Sequence, residues 1–224
     1  MGFLYIHTDY YCCNLSFVVD FVHEKVIVEG VANAMKNYTI VGGVNGVGKS
    51  SLSGVLRVER SDLGYIIDVD KLAVENRCGA IESGKIALTM IDEFFQRGLS
   101  FTQETTLSGV KTEKTIKTAK ENGYSVRLFY IGLDTLEESV ERIKNRVSKG
   151  GHNIQEDDVE RRFAKRFDDV IKVLPYCNEV HFFDNDNGFV EVGEYRNGEI
   201  LCKGDYKPEW FIELRRQFAN HMQR

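Results

Sequence analysis

The chain has 224 residues, 42% hydrophobic and 28% charged, which suits one globular α/β domain with a buried core. Its net charge of −5 argues against a broad electrostatic interface with nucleic acid. No apolar run approaches the roughly 18 residues that a membrane span needs. The five cysteines form neither a C-x-x-C pair nor a metal-ligand spacing, which favours free thiols in a reducing compartment. We therefore expect a cytoplasmic protein without nucleic-acid or membrane partners.

The chain has two predicted parts. Residues 1–36 precede the first element that can be placed firmly, and we interpret them as an N-terminal extension of uncertain role. Residues 37–224 contain no repeat, no low-complexity run and no linker-like tract, so we expect one domain.

Strands alternate with helices from Tyr38 onward. The predicted strands cover residues 38–43, 64–70, 99–109, 124–133 and 179–186. The predicted helices begin at Lys49 and then cover residues 71–97, 111–122, 135–147, 157–173 and 208–220. Residues 188–205 alternate like a hairpin with Asn197-Gly198 as its turn. This order predicts a mostly parallel sheet, with ligands beyond the carboxyl ends of its strands.

The stretch from Gly43 to Ser50 reads G-V-N-G-V-G-K-S and fits the phosphate-binding pattern G-x-x-x-x-G-K-[ST]. It lies between a predicted strand and a predicted helix, which is the context that the motif requires. The fold class is thus a P-loop NTPase-like three-layer α/β sandwich with a C-terminal hairpin and helix. Lys49 would reach the β- and γ-phosphates of ATP or GTP, and Ser50 would bind Mg²⁺. The expected phosphate-binding residues are Gly43, Val44, Asn45, Gly46, Val47, Gly48, Lys49, Ser50 and Ser51.

Two aspartates end the second predicted strand, in the sequence I-I-D-V-D-K-L-A. Side chains two apart on a strand point the same way, so Asp68 and Asp70 should share a face. A carboxylate there can accept the proton of an attacking hydroxyl or hold a metal-bound water. The alternative for Asp70 is that it caps the following helix.

The third predicted strand ends in E-T-T-L-S-G. Glu104, Thr106 and Ser108 offer a carboxylate and two hydroxyls for hydrogen bonds to a polar substrate. The alternative is that the threonines only pack in the strand.

Five arginines lie between residues 142 and 166, around a Gly-Gly-His segment. In phosphoryl transfer an arginine meets the charge that develops on the transferring group. We expect one or two of them to be catalytic and favour Arg142 and Arg162. The alternative is a solvated helix surface with ion pairs four residues apart.

Several motifs follow one another between residues 38 and about 188: GVNGVGKSSL, YIIDVDKLA, SFTQETTLSG, GYSVRLFYIGL, SVERIKNRVSKGGHNI and VERRF. Together they resemble the zeta-toxin family of P-loop kinases. The resemblance implies a kinase that uses ATP and Mg²⁺ to phosphorylate the 3′-hydroxyl of the amino sugar in UDP-N-acetylglucosamine. It also implies the toxin of a toxin–antitoxin pair, with a small antitoxin protein as partner.

The same resemblance implies roles for single residues. Asp70 takes the place of the general base, and Glu104 and Thr106 fall on contacts to the sugar nucleotide. An arginine in E-R-I-K-N-R and another near the V-E-R-R segment would clamp the ATP phosphates. Ser108 and Leu88 stand where the family has an arginine and a glutamate, so two substrate contacts differ. The open alternatives are another small hydroxyl acceptor, such as a nucleoside, nucleotide or antibiotic, and a nucleotide-hydrolysing switch without an acceptor.

Overall fold

The computed structural model describes residues 35–151 and 153–223 of the chain. The predicted extension at residues 1–36 lies almost wholly outside the described residues and stays a prediction. The strands are β1 (Asn37–Gly42), β2 (Tyr65–Ile67), β3 (Phe101–Thr105), β4 (Ser125–Ile131), β5 (Glu179–Asp184), β6 (Val190–Arg196) and β7 (Glu199–Cys202). They form one sheet in the order β2-β3-β1-β4-β5-β6-β7. The first five strands run parallel and the last two antiparallel, which confirms the mostly parallel sheet.

Helices connect the parallel strands and follow the hairpin. They are α1 (Lys49–Glu59), α2 (Val69–Glu75), α3 (Ala80–Arg97), α4 (Val110–Glu121), α5 (Leu136–Ser148), α6 (Glu156–Ala164), α7 (Arg166–Val173) and α8 (Glu209–Met222). A 3₁₀ turn at Leu174–Tyr176 leads into β5. Within the described ranges, none of these helices combines the length and the apolar character needed to cross a bilayer.

Both faces of the sheet are buried. Successive side chains of a strand point to opposite sides of the sheet, and every residue of β1 is buried. On β1, Val41 belongs to a cluster with Leu52 and Leu56 of α1. Tyr38 points the other way, where its ring stacks on Phe101 at 4.7 Å. The result is the three-layer α/β sandwich that the sequence predicts, with each fully buried apolar side chain contributing about 1.5–3 kcal/mol.

Two boundaries near the predicted site differ from the sequence prediction. The second strand ends at Ile67 rather than Asp70, and the backbone turns into α2 at Val69. The predicted helix over 71–97 is two helices, because Arg77 adopts a left-handed φ of 51° after α2. The amide of Cys78 then bonds the Ala73 carbonyl at 3.0 Å, a helix-terminating contact that a hydrophobic pattern does not reveal.

In the C-terminal half, one predicted helix differs from the structure and the predicted hairpin agrees with it. The predicted helix over 157–173 is interrupted at Lys165, where α6 ends and α7 begins. The hairpin between β6 and β7 is confirmed, since Asn197 and Gly198 have φ angles of 53° and 82° in its turn.

Trp210 joins α8 to the sheet. Its indole is 1% exposed, and its Nε1 donates to Asp184 Oδ1 at the end of β5, at 2.8 Å. The Trp210 ring lies very close to Gly132, the residue that follows β4, and a Cβ on Gly132 would come within 2.0 Å of the ring. Helix α8 therefore fits only against a glycine at that position.

We expect Trp210→Phe to lower the free energy of unfolding by about 1–3 kcal/mol, because Asp184 loses a buried donor. Urea denaturation followed by circular dichroism measures this change. Ile212→Ala is the matched control on the same helix, since Ile212 is 47% exposed and should change stability by less than about 0.5 kcal/mol. Equal losses in the two variants would contradict the anchoring role of Trp210.

Candidate active site

The P-loop joins β1 to α1 and forms one wall of a cleft of about 740 Å³. Gly48 occupies the N-cap of α1 with a φ of 101° and provides no side-chain cap, so the backbone N–H groups of the first turn face outward for an anion. Asn185, from the loop after β5, donates to the Val47 carbonyl at 2.9 Å. A Cβ on Gly48 would lie 2.5 Å from that amide, so only glycine fits there.

Lys49 lies folded over the P-loop. Its Nζ donates to the carbonyls of Gly43 and Val44 at 3.0 and 2.9 Å. Burial lowers the pKa of Lys49 to about 8, against the opposing effect of the nearby Glu104 and Asp70 charges. The Lys49 amine thus donates to two uncharged carbonyl groups, and a bound phosphate would favour its charged form.

Ser50 meets two carboxylates. Its hydroxyl donates to Glu104 Oε2 at 2.7 Å and lies 3.3 Å from Asp68 Oδ2. Burial, followed by the effect of the Asp68 charge, raises the pKa of Glu104. Two carboxylates and a hydroxyl are the hard oxygen ligands that Mg²⁺ takes in proteins, and a cation would offset the cost of the buried charge. The residues present therefore fit a divalent cation.

The two aspartates lie on a helix terminus and not on a strand. Asp68 is the N-cap of α2 and accepts from the amides of Asp70 and Lys71 through Oδ1. The capping role considered for Asp70 therefore belongs to Asp68. Asp70 follows in the first turn, half exposed, with Arg146 Nη1 3.4 Å from its Oδ2. Both side chains line the same cleft. The prediction that they share a face at the end of a strand was wrong, because they lie at the start of α2.

Three arginines line the cleft beside the P-loop. Arg142 donates to Asp186 at 3.2 Å, Arg162 donates to Asn45 Oδ1 at 3.0 Å, and Arg146 pairs with Asp70. The first two are those favoured from the sequence. Arg146 was not favoured, although its spacing of four from Arg142 places both on one face of α5.

The remaining two arginines point elsewhere. Arg161 pairs with Asp158 on its own helix. Arg166 lies over the rings of Phe163 and Phe167 at 3.7 and 4.1 Å. Neither belongs to the cleft lining, so the structure separates them from the three that do.

Most of the remaining residues that line the cleft are polar. Thr106 belongs to it and shares a hydrogen bond with Ser108, whose oxygen lies 2.8 Å from Thr106 Oγ1. Leu88 and Ser108 are not among the lining residues. His152, in the Gly-Gly-His segment, lies outside the described residues. Besides Arg146, the lining residues that the sequence did not indicate are Val69, Ala80, Gln103, Asn153, Ile154, Gln155 and Asp158.

Comparison with known proteins agrees with this geometry. The family model described as "Zeta toxin" matches residues 79–187. An uncharacterised protein of Haemophilus influenzae is 37% identical over 126 residues, which are 54% of this chain and 88% of that protein. The chain belongs to the zeta-toxin family. Because the matched region begins after the P-loop, the phosphate-binding motif is an observation independent of the family model.

Solved structures share the fold of this zeta-toxin family member. A structure from the PezAT chromosomal toxin–antitoxin system of Streptococcus pneumoniae has a TM-score of 0.62 and 18% identity, and covers 96% of this chain and 98% of that one. The AvrRxo1-ORF1:-ORF2 complex with ATP has a TM-score of 0.59 and 16% identity. The match covers 84% of this chain and 64% of that chain. At these identities the likeness concerns the fold, which is that of P-loop kinases.

We expect Glu104→Gln to stabilise the unliganded protein by about 0.5–2 kcal/mol near neutral pH. The raised pKa of Glu104 means that its stabilising effect is present in acid and is lost as the pH rises through that pKa. Glutamine keeps an oxygen for the Ser50 hydroxyl but carries no charge. The stability difference between variant and parent should therefore shrink as the pH approaches 4.

Urea denaturation at several pH values tests this, with Glu59→Gln on the exposed end of α1 as the control. A Glu104→Gln variant that is less stable than the parent at neutral pH would show that the carboxylate is not under electrostatic strain.

Proposed function

We propose that this protein is an ATP-dependent phosphotransferase that phosphorylates a hydroxyl group of a small molecule. One observation carries the proposal: the Lys49 amine of the P-loop and the half-exposed Asp70 carboxylate line one cleft, where the Asp70 charge partly opposes the lowering of the Lys49 pKa by burial. A cleft built only for nucleotide hydrolysis has no need of a second wall rich in hydrogen-bonding side chains.

The nucleotide is held by the P-loop wall. Lys49 leaves the carbonyls of Gly43 and Val44 to contact the β- and γ-phosphates, while the amides of the first turn of α1 bind phosphate oxygens. Ser50, Asp68 and Glu104 would hold Mg²⁺, which neutralises developing charge when bound. The ATP-containing AvrRxo1 complex supports this choice of nucleotide at the level of fold. GTP is the alternative donor.

Asp70 is the proposed general base. It accepts the proton of the acceptor hydroxyl while that oxygen attacks the γ-phosphate in line with the leaving group. Arg146, now paired with Asp70, can turn to the γ-phosphate when the nucleotide is present. Arg142 and Arg162 lie on the same wall and would stabilise the charge on the transferring group.

The proposal also concerns the identity of the molecule that accepts the phosphate. Membership of the zeta-toxin family supports UDP-N-acetylglucosamine, with Thr106, which lines the cleft and bonds Ser108, as the candidate substrate contact. The alternative acceptors are nucleosides, nucleotides and antibiotics. A nucleotide switch without an acceptor is the alternative of a different class.

We expect Asp70→Asn to lower the rate of phosphate transfer to UDP-N-acetylglucosamine about 10²–10⁴-fold, the usual effect of losing a general base. Mass spectrometry of the product measures transfer, and calorimetry should find ATP affinity changed by less than threefold. Asp92→Asn, on the exposed face of α3, is the matched control and should retain full activity. Unchanged turnover in the Asp70 variant would refute the assignment and favour the switch.

We further propose that the protein acts as the toxin of a toxin–antitoxin pair, its partner being a small protein that covers the nucleotide site. The structural likeness to a member of the PezAT system supports this idea. Expression of residues 35–224 in bacteria should arrest growth, whereas the same segment with Asp70→Asn should not. Equal growth of the two strains, with both proteins present at equal amounts, would contradict a toxic kinase. Comparison with the full chain shows whether residues 1–34 inhibit the activity in cis.

A further inference from the structure

Arg146 interacts with both halves of the candidate transfer site. Its Nη1 lies 3.4 Å from Asp70 Oδ2, and both residues line the cleft. Burial is the main cause that lowers the pKa of Lys49, and the charge of Arg146 adds to it. The guanidinium thus contacts the proposed base and lies within electrostatic range of the P-loop amine. An arginine side chain has many rotamers, so a contact along its stem is needed to direct the guanidinium there.

The chain segment after α5 provides that contact. The Gly150 amide donates to the Val147 carbonyl at 2.9 Å, and the Gly151 amide donates to the Arg146 carbonyl at 3.0 Å. These bonds fold the chain back over the last turn of α5, where Gly151 lies against the side chain of Arg146. A Cβ on Gly151 would lie 2.6 Å from Arg146 Cγ, 3.0 Å from its carbonyl oxygen and 3.3 Å from its Cδ. Because carbon atoms pack at roughly 3.5–4.0 Å, only glycine leaves room for the stem in this conformation.

The two adjacent glycines of this segment are required for different reasons. Gly150 has a φ of 87°, in the left-handed region, and a Cβ there would meet no atom within 4 Å. Its requirement comes from the turn itself. Gly151 does not belong to the described glycines with a positive φ, so its backbone accepts any L residue. The requirement at position 151 therefore comes from the close approach of Arg146.

We propose that Gly151 is a positioning residue, which directs Arg146 into the part of the cleft where Asp70 and Lys49 lie by leaving room for its stem. The inference rests on the proposed function, in which Arg146 turns from Asp70 to the γ-phosphate. With the stem held against Gly151, this exchange of partners requires only the end of the side chain to move. A Cβ at position 151 pushes the stem away, so that the guanidinium loses Asp70 in the unliganded cleft and the γ-phosphate in the loaded one.

Calorimetry on the full chain with Mg²⁺ tests this role, with ADP and a non-hydrolysable ATP analogue as the probes. Gly151→Ala should weaken binding of the analogue about tenfold, the usual effect of losing a charge-assisted hydrogen bond. Binding of ADP should change less than about twofold, because ADP lacks the phosphate that Arg146 meets. Gly84→Ala in α3 is the matched control, since a Cβ there meets no atom within 4 Å, and it should leave both affinities unchanged. Equal weakening of both probes by Gly151→Ala, or no weakening of either, overturns the inference.

A double-mutant cycle with Arg146→Ala separates an effect through Arg146 from a general effect on the turn. Alanine at position 146 has no Cγ or Cδ, so Gly151→Ala should then change affinity for the analogue less than about twofold. Thermal unfolding covers the case of a variant that folds poorly: Gly151→Ala should lower the midpoint in the parent and leave it nearly unchanged in the Arg146→Ala background. Gly150→Ala, which strains the same turn without meeting Arg146, should lower the midpoint equally in both backgrounds. Equal losses from Gly151→Ala with and without the arginine overturn the inference.

Phosphate transfer by the parent protein separates this inference from the proposed function. If the parent transfers no phosphate but the cycle shows coupling between positions 146 and 151, the proposed function fails and the positioning role of Gly151 stands. If the parent transfers phosphate and the two substitutions act independently, the proposed function stands and the positioning role is overturned.

Discussion

The parallel pairing of β1 between β3 and β4 is the constraint on which the site depends. Val41 lies opposite Glu104, and Gly42 lies opposite both Thr105 and Tyr130, so the P-loop leaves the sheet between two strands of fixed register. That register brings Glu104 to Ser50 at the start of α1. A slip of one residue would exchange the faces of Gln103 and Glu104, and would move the Glu104 carboxylate away from Ser50.

The parts of the site that depend on local pattern could be predicted from the sequence. The P-loop is a contiguous motif, and the rule that ligands lie beyond strand carboxyl ends indicated Asp70 and Glu104. The break after α2 could not be predicted, because it depends on the left-handed Arg77. Gln103 was missed because its orientation comes from Tyr38, 65 residues away in the chain. Local periodicity contains no information about such a contact.

The electrostatics of the unliganded cleft are unfavourable in a way that ligands can relieve. Burial lowers the pKa of Lys49 and raises that of Glu104, so each charged form is disfavoured where a phosphate and a cation would favour it. Buried charges of this kind lower the stability of the fold, and functional sites commonly carry such a cost.

The C-terminal hairpin and helix support the nucleotide wall. Asp184 ends β5 and accepts from the Trp210 indole and from the amide of Asp186, which fixes the start of the following loop. From that loop, Asn185 bonds the P-loop and Asp186 holds Arg142. Packing of α8 on the sheet is thus transmitted, through one buried carboxylate, to the P-loop and to an arginine of the cleft. Helix α8 contributes no cleft residue, and yet its attachment determines where two residues of the nucleotide wall lie.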